Sequence, residues 1–422
     1  MVSHLRLAVL GCAASAVLLV APLASAATSE RGPALGGPIT VGYSSEAALD
    51  AAVSRAGGRV LRRLPDIQVA ELSGSGRFAE LIARAPGISF LERSVPRAPS
   101  AEPGLALANE VGAFEWQYAA THSDAVPESV LRAASAITIA VIDTGADLGA
   151  PDLAAKSPLT YDIRTRAADV ADIVGHGTFV ASLAAGASTN DEGIAGFGGD
   201  SNLLVVRATN GRRALTDVDE AAAILYAVDH GARVINLSFG GPTTSTTERR
   251  AVDYAAKHDV LLVAAVGNDY RRGNPVHYPA ALLQPVRSRG LGGRGLAVGA
   301  SKRGGTRAVF SSTGTHLSLV APGEAVLGAV SGLSSPRDYP RVALPGSRAG
   351  HYAFGSGTSY AAPQVAGAAA LVWAANPALS ARDVADYLKG TSSGQGRWNP
   401  RLGYGVLDVG AAVALALASA GR

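Results

Sequence analysis

Apolar positions follow two different rhythms along this chain, and the change of rhythm divides it. Over residues 38–94, short alternating stretches are interleaved with helix-period ones. Ile39-Thr-Val-Gly-Tyr43 reads as a strand, and residues 46–56 as a helix that Ser45 caps and Gly57-Gly58 stops. Residues 60–72 alternate around Pro65-Asp66 and read as two strands joined by a turn. Residues 77–85 form a second helix closed by Pro86-Gly87, and residues 88–91 a last strand. The order βαββαβ is the split arrangement of a small ferredoxin-like α+β module. A module of this size often needs support from a neighbour. Residues 94–108 then carry Pro96, Pro99 and Pro103 among small residues, which predicts a linker with neither helix nor sheet.

From residue 137 the rhythm changes. Residues 137–142, 203–206, 234–237 and 260–266 are nearly continuous apolar runs, as expected for strands buried on both faces of a parallel sheet. Between them, residues 218–228 show helical spacing, with Thr216 at the start and Gly231 at the end. Alternating strands and helices predict an α/β domain whose parallel sheet is covered on both faces. Sites in such sheets gather at the carboxyl ends of the strands. Asp143 follows one strand directly, and Asn268 closely follows another. The alanine-rich helix expected after Leu407 is too short to argue for a membrane anchor.

Composition adds limits. At 422 residues with 48% hydrophobic content, the chain has room for more than one domain and a sizeable core. The formal net charge is only +3 and the arginines are scattered, so nothing marks a nucleic-acid surface. His4 and Arg6, the apolar run over residues 7–20 and the small-residue site Ala24-Ser-Ala26 predict a cleaved secretory signal, hence an extracellular protein. The run is too short, and Pro22 follows too soon, for a membrane span. Cys12 is the only cysteine and lies within that signal, too early in the apolar run for a lipoprotein site. The processed chain therefore has no disulfide and no thiolate metal site.

Candidate chemistry sits at strand and helix ends. Gly355-Ser-Gly-Thr-Ser-Tyr-Ala-Ala-Pro363 ends a loop and begins an apolar helix, with Ser359 at the junction. A serine needs a neighbouring base to become a nucleophile, and a helix N-terminus adds positive potential and free N–H groups. Gly175-His-Gly-Thr178 presents His176 uncrowded at a helix start, as a general base requires. Asp143 ends a buried strand, where a carboxylate needs a partner and an imidazole is one. Asn268, in Ala264-Ala-Val-Gly-Asn268, carries an amide able to donate to an oxyanion. Each has an ordinary explanation taken alone: an N-cap serine, a capping histidine, and turn residues.

Together, in the chain order Asp, His, Ser, they carry more. Val141-Ile-Asp-Thr-Gly145, Gly175-His-Gly-Thr-Phe-Val-Ala181 and Gly357-Thr-Ser-Tyr-Ala-Ala-Pro363 resemble the motifs of the subtilisin-like serine peptidases, the subtilases, over roughly residues 110–410. The resemblance implies Ser359 as nucleophile, His176 as general base, Asp143 as its orienting carboxylate and Asn268 as oxyanion donor. It likens Ser238, Phe239, Gly240 and Gly241 to the segment that pairs with the substrate backbone and walls the primary specificity pocket. Val320-Ala-Pro-Gly323 and Gly403-Tyr-Gly405 match structural signatures of that family.

Residues 38–94 resemble its inhibitory propeptide, a chaperone that the enzyme removes. The implied organisation is a signal peptide over 1–26, a propeptide over 27–100 and a peptidase domain over 101–422. The cut then falls between Ser94 and Glu110, with the Ser100–Ala101 bond preferred. Asp152, Asn190 and Asp191 lie near positions that hold structural calcium in the family, and solvated loop carboxylates explain them equally well. No cofactor is implied for catalysis. The expected partners are protein or peptide substrates and the propeptide, and a monomer is expected.

Departures from the pattern are Phe179, where a second histidine is frequent, the bulky Phe239, and a long arginine- and glycine-rich stretch before Leu296. That stretch reads as a flexible surface loop open to self-cleavage. The alternative function is a catalytically silent relative that binds peptides. An esterase is disfavoured, because the nucleophile lacks the Gly-x-Ser-x-Gly elbow.

Overall fold

The computed structural model describes residues 37–99, 116–188, 190, 193–211, 214–344 and 350–421. The predicted signal peptide and the preferred cleavage bond lie outside them. Strands β1 (Ile39–Tyr43), β2 (Arg59–Leu64), β3 (Val69–Ser73) and β4 (Ile88–Arg93) form an antiparallel sheet in the order β2-β3-β1-β4. Helices Glu46–Ala56 and Phe78–Ala83 complete the ferredoxin-like module. Ser45 accepts from Ala48 N–H at 3.2 Å, and Gly57 ends that helix in the left-handed conformation. Val41, Leu49, Leu72, Phe78 and Ile82 make its own core. Leu64, Ile67 and Val69 instead join the core of the larger domain.

Next comes β5 (Pro96–Pro99). The larger domain contributes β6 (Thr138–Asp143), β7 (Leu159–Asp162), β8 (Asn202–Arg207), β9 (Leu215–Thr216) and β10 (Val234–Leu237). It continues with β11 (Phe239–Gly240), β12 (Leu261–Ala265), β13 (Gly295–Ser301) and β14 (Leu319–Pro322). Seven of these form a parallel sheet ordered β14-β13-β12-β10-β6-β8-β7.

Side-chain alternation along each strand feeds two cores. Ile139, Val141, Leu203, Val205, Leu261 and Val263 pack on one face, with the helices His176–Ala185 and Thr358–Ala375. Ala140, Ile142, Leu204, Val206, Leu262 and Ala264 pack on the other, with Asp217–Asp229 and Thr246–Lys257. Nearly every residue of Thr358–Ala375 is buried, as its apolar sequence demands. Among the described residues, no helix is long and apolar enough to cross a membrane.

Two expectations need correction. The proline-rich linker is not free of sheet, because β5 lies antiparallel between β9 and β11. Proline removes one N–H but keeps an extended φ, so a short strand survives where other contacts hold it. The arginine- and glycine-rich loop is tied down rather than loose. Arg289 N–H donates to the Thr315 carbonyl at 2.8 Å, Lys389 Nζ to the Gly290 carbonyl at 2.9 Å, and Arg294 pairs with Asp253 at 2.7 Å.

Candidate active site

Asp143 closes β6 at its carboxyl end. Its Oδ1 accepts from the Thr144 N–H at 2.7 Å and lies 2.7 Å from His176 Nδ1, with both side chains buried. A carboxylate can only accept, so Nδ1 carries the proton and the lone pair of a neutral ring is on Nε2. That Nε2 is buried without a hydrogen bond among the described residues. Leaving such an atom unpaired costs about 1–3 kcal/mol, which a purely structural histidine would avoid.

The loop after β6 and the start of the histidine helix are locked together. Gly177 N–H donates to Thr144 Oγ1 at 2.8 Å, and a Cβ on Gly177 would stand 2.2 Å from the Gly145 carbonyl oxygen. Only glycine permits that approach, which accounts for the residue following His176. Asp172, fully buried, clamps the same corner. Its carboxylate accepts from Thr144 Oγ1 (2.9 Å), Gly175 N–H (2.8 Å), Thr178 N–H (2.9 Å) and Thr178 Oγ1 (2.6 Å). Sequence reasoning passed over Asp172. The signal available was an acidic residue just ahead of a helix start, where it can cap the first turn.

Ser359 lies in the first turn of Thr358–Ala375, and Pro363 explains its local bonding. Proline has no N–H to offer the carbonyl four residues back, so the Ser359 carbonyl is released from the helix ladder. It accepts instead from Ser238 Oγ at 2.8 Å, while Ser359 Oγ donates to the Ser238 carbonyl at 2.8 Å. Asn236 Nδ2 donates to Ser238 Oγ at 2.9 Å. The reciprocal pair fixes the serine helix against the end of β10 and the segment Ser238 to Gly241.

Tyr360 links this helix to the histidine helix. Its ring centroid lies 5.7 Å from that of His176 and 4.2 Å from that of Phe179, and its hydroxyl meets Tyr339 at 3.2 Å. Burial raises the Tyr360 pKa, so its hydroxyl stays protonated. Phe179 thus fills a buried aromatic cluster with Tyr339 and Tyr360.

Asn268 faces the same helix end. Its Oδ1 accepts from Thr358 N–H at 3.0 Å and Thr358 Oγ1 at 3.1 Å. The backbone donor dictates which way the amide points, so Nδ2 is directed away from Thr358. Phe239 and Gly240 pair with Pro99 and Ala98, and Gly241 exchanges backbone bonds with Tyr278 at 3.0 and 2.8 Å. The Phe239 side chain is buried in the core, not exposed along the segment.

The expected calcium ligands are partly together. Asn190 Nδ2 lies 3.4 Å from Asp152 Oδ1, which also accepts from Ile194 N–H at 3.2 Å. Asp191 lies outside the described residues. Among the described residues, no group of three or more His, Cys, Asp or Glu side chains could hold a metal ion.

The model of the subtilase family matches residues 134–405. The chain belongs to the subtilase family, the subtilisin-like serine peptidases. This subtilase is 38% identical over 245 residues to the thermophilic serine proteinase of Bacillus sp. (strain AK1), covering 58% of this chain and 53% of that protein. Against Subtilisin E of Bacillus subtilis (strain 168), identity is 27% over 394 residues, 93% of each chain. The crystal structure of fervidolysin from Fervidobacterium pennivorans superposes with a TM-score of 0.75 at 27% identity, covering 90% of this chain and 61% of that one. The subtilase thus spans little more than half of some relatives and nearly all of others.

Proposed function

We propose that the chain is the precursor of a secreted serine endopeptidase, with Ser359, His176 and Asp143 as its triad. The observation that carries the reading is the buried 2.7 Å Asp143–His176 pair, whose second imidazole nitrogen is left unpaired beside the serine helix. In this reading Ser359 Oγ attacks a peptide carbonyl while His176 Nε2 takes its proton. Asp143 holds the ring and stabilises the imidazolium. Asn268 Nδ2 and the Ser359 N–H at the helix start receive the oxyanion. The tetrahedral intermediate collapses as His176 gives the proton to the leaving amine. Water then hydrolyses the acyl-enzyme through the same base.

The module over residues 37–99 acts as an intramolecular inhibitor and chaperone. Glu92 supports this by capping the helix Thr246–Lys257, accepting from Thr246 N–H and Thr247 N–H at 2.9 Å each. Arg62 pairs with Asp219 at 3.1 Å across the same boundary. Secretion rests on the signal read in residues 1–26. A calcium ion would draw on the Asp152 carboxylate and, with the Asn190 amide turned to present its oxygen instead of its Nδ2, on Asn190, the hard donors that ion prefers. The buried Asp152 carboxylate is compatible with such a role.

Labelling with a fluorophosphonate tests the nucleophile. The account expects one adduct, on the peptide holding Ser359, and its loss in His176→Ala. A folded, processed protein without an adduct at Ser359 would overturn it.

A further inference from the structure

The short strand β5 is anchored by a side chain as well as by its ladder. Arg97 projects from it into a fully enclosed space between the starts of the helices Asp217–Asp229 and Thr246–Lys257. Its Nε lies 2.9 Å from Glu220 Oε2 and its Nη2 2.7 Å from Glu248 Oε1, with no solvent exposure of any of the three side chains. Nη1 donates to the Thr243 carbonyl at 3.3 Å and the Pro96 carbonyl at 3.2 Å. Thr244 Oγ1 holds the other Glu248 oxygen at 2.6 Å. A Cβ on Gly241 would stand 2.8 Å from the Pro96 carbonyl oxygen, so glycine there gives the strand room to lie down.

The register says where this pocket stands relative to the chemistry. Pro99 is opposite Phe239 and Ala98 opposite Gly240, while Ser238, one residue further, accepts from Ser359 Oγ through its carbonyl. A substrate in the same register brings the residue opposite Ser238 to the nucleophile. Its fourth residue on the amino side of the scissile bond then takes the place of Arg97.

Resting on the peptidase reading above, we propose that Glu220 and Glu248 form a specificity pocket that selects arginine at that fourth position of the substrate. Two carboxylates in one dry pocket repel each other and resist ionisation. Burial raises both of their pKa values, with Arg97 pulling them back down. A guanidinium relieves this best, because its planar fork reaches both acids at once and keeps its charge when buried. A lysine ammonium reaches them less well, and a neutral side chain leaves the acids unpaired. When β5 departs, the pocket is left with the chemistry to take the next arginine from a substrate.

The test uses the processed enzyme and peptides that differ only at the fourth position: arginine, its neutral isostere citrulline, lysine and alanine. The arginine peptide is expected to exceed the citrulline and alanine peptides by about 30-fold or more in kcat/KM, with lysine between. In Glu220→Gln and Glu248→Gln that ratio contracts toward unity, and the peptide comparison in the wild type stands even if a variant fails to fold. Casein digestion in parallel separates the two possible failures. An enzyme that digests casein but cleaves the four peptides within about 3-fold of each other, or leaves the arginine peptide intact, overturns the pocket alone. An enzyme that digests neither casein nor peptides overturns the peptidase reading and the pocket with it.

Discussion

At the scale of single residues, the site is a set of polar side chains held in place by short hydrogen bonds. Asp143 Oδ1 fixes the imidazole through Nδ1, and Thr358 fixes the amide of Asn268 through Oδ1. Removing that amide tests the second arrangement. Asn268→Ala is expected to lower kcat by about 10²–10³, a magnitude that comes from the equivalent donor in subtilisin itself, with KM little changed. Steady-state kinetics on a small peptide substrate separate the two parameters. An unchanged kcat with a raised KM would mean that Asn268 binds substrate and does not stabilise the oxyanion. The placement of Asp143, His176, Asn268 and Ser359 at strand and helix ends was legible because each sits in a short motif. Asp172 was not, because its partners Thr144 and Thr178 lie on separate elements and meet only in the fold.

At the scale of elements, the apolar runs over residues 137–142, 203–206 and 260–266 read as strands and fall within a residue or two of β6, β8 and β12. A run buried on both faces announces itself without knowledge of its neighbours. β7 carries Thr160 and Asp162 at the sheet edge, and β13 is interrupted by glycine, so neither stood out. β5 was hidden further. Its proline content argues against sheet, and what holds it is the distant pair Glu220 and Glu248. The histidine helix depends similarly on Asp172, whose loss strips partners from buried N–H groups. Asp172→Ala, made in the Ser359→Ala background to avoid self-digestion, is expected to cost about 2–4 kcal/mol of stability. Urea unfolding measures it, and a change below about 0.5 kcal/mol would show that the corner holds without the clamp.

At the scale of the whole molecule, a small ferredoxin-like module and a larger α/β domain share one compact unit over residues 37–422. The module has its own small core around Val41, Leu49 and Leu72, yet lends Leu64, Ile67 and Val69 to its neighbour. The order of elements in the module was readable from periodicity and turn residues, and that of the larger domain only for its most apolar strands. The contact between the two was not, because it is made by Arg62, Glu92 and Arg97 reaching across to residues far along the chain. That contact lays β5 along Phe239 and Gly240, next to Ser238, whose carbonyl accepts from Ser359 Oγ, as self-processing requires. The most direct test follows the mass of the chain, expressed without residues 1–26, as wild type and as Ser359→Ala. The account predicts that wild type sheds a fragment ending between residues 94 and 110 while Ser359→Ala stays full length. Two folded proteins that both stay intact, or a variant that is cut as fast as wild type, would contradict it.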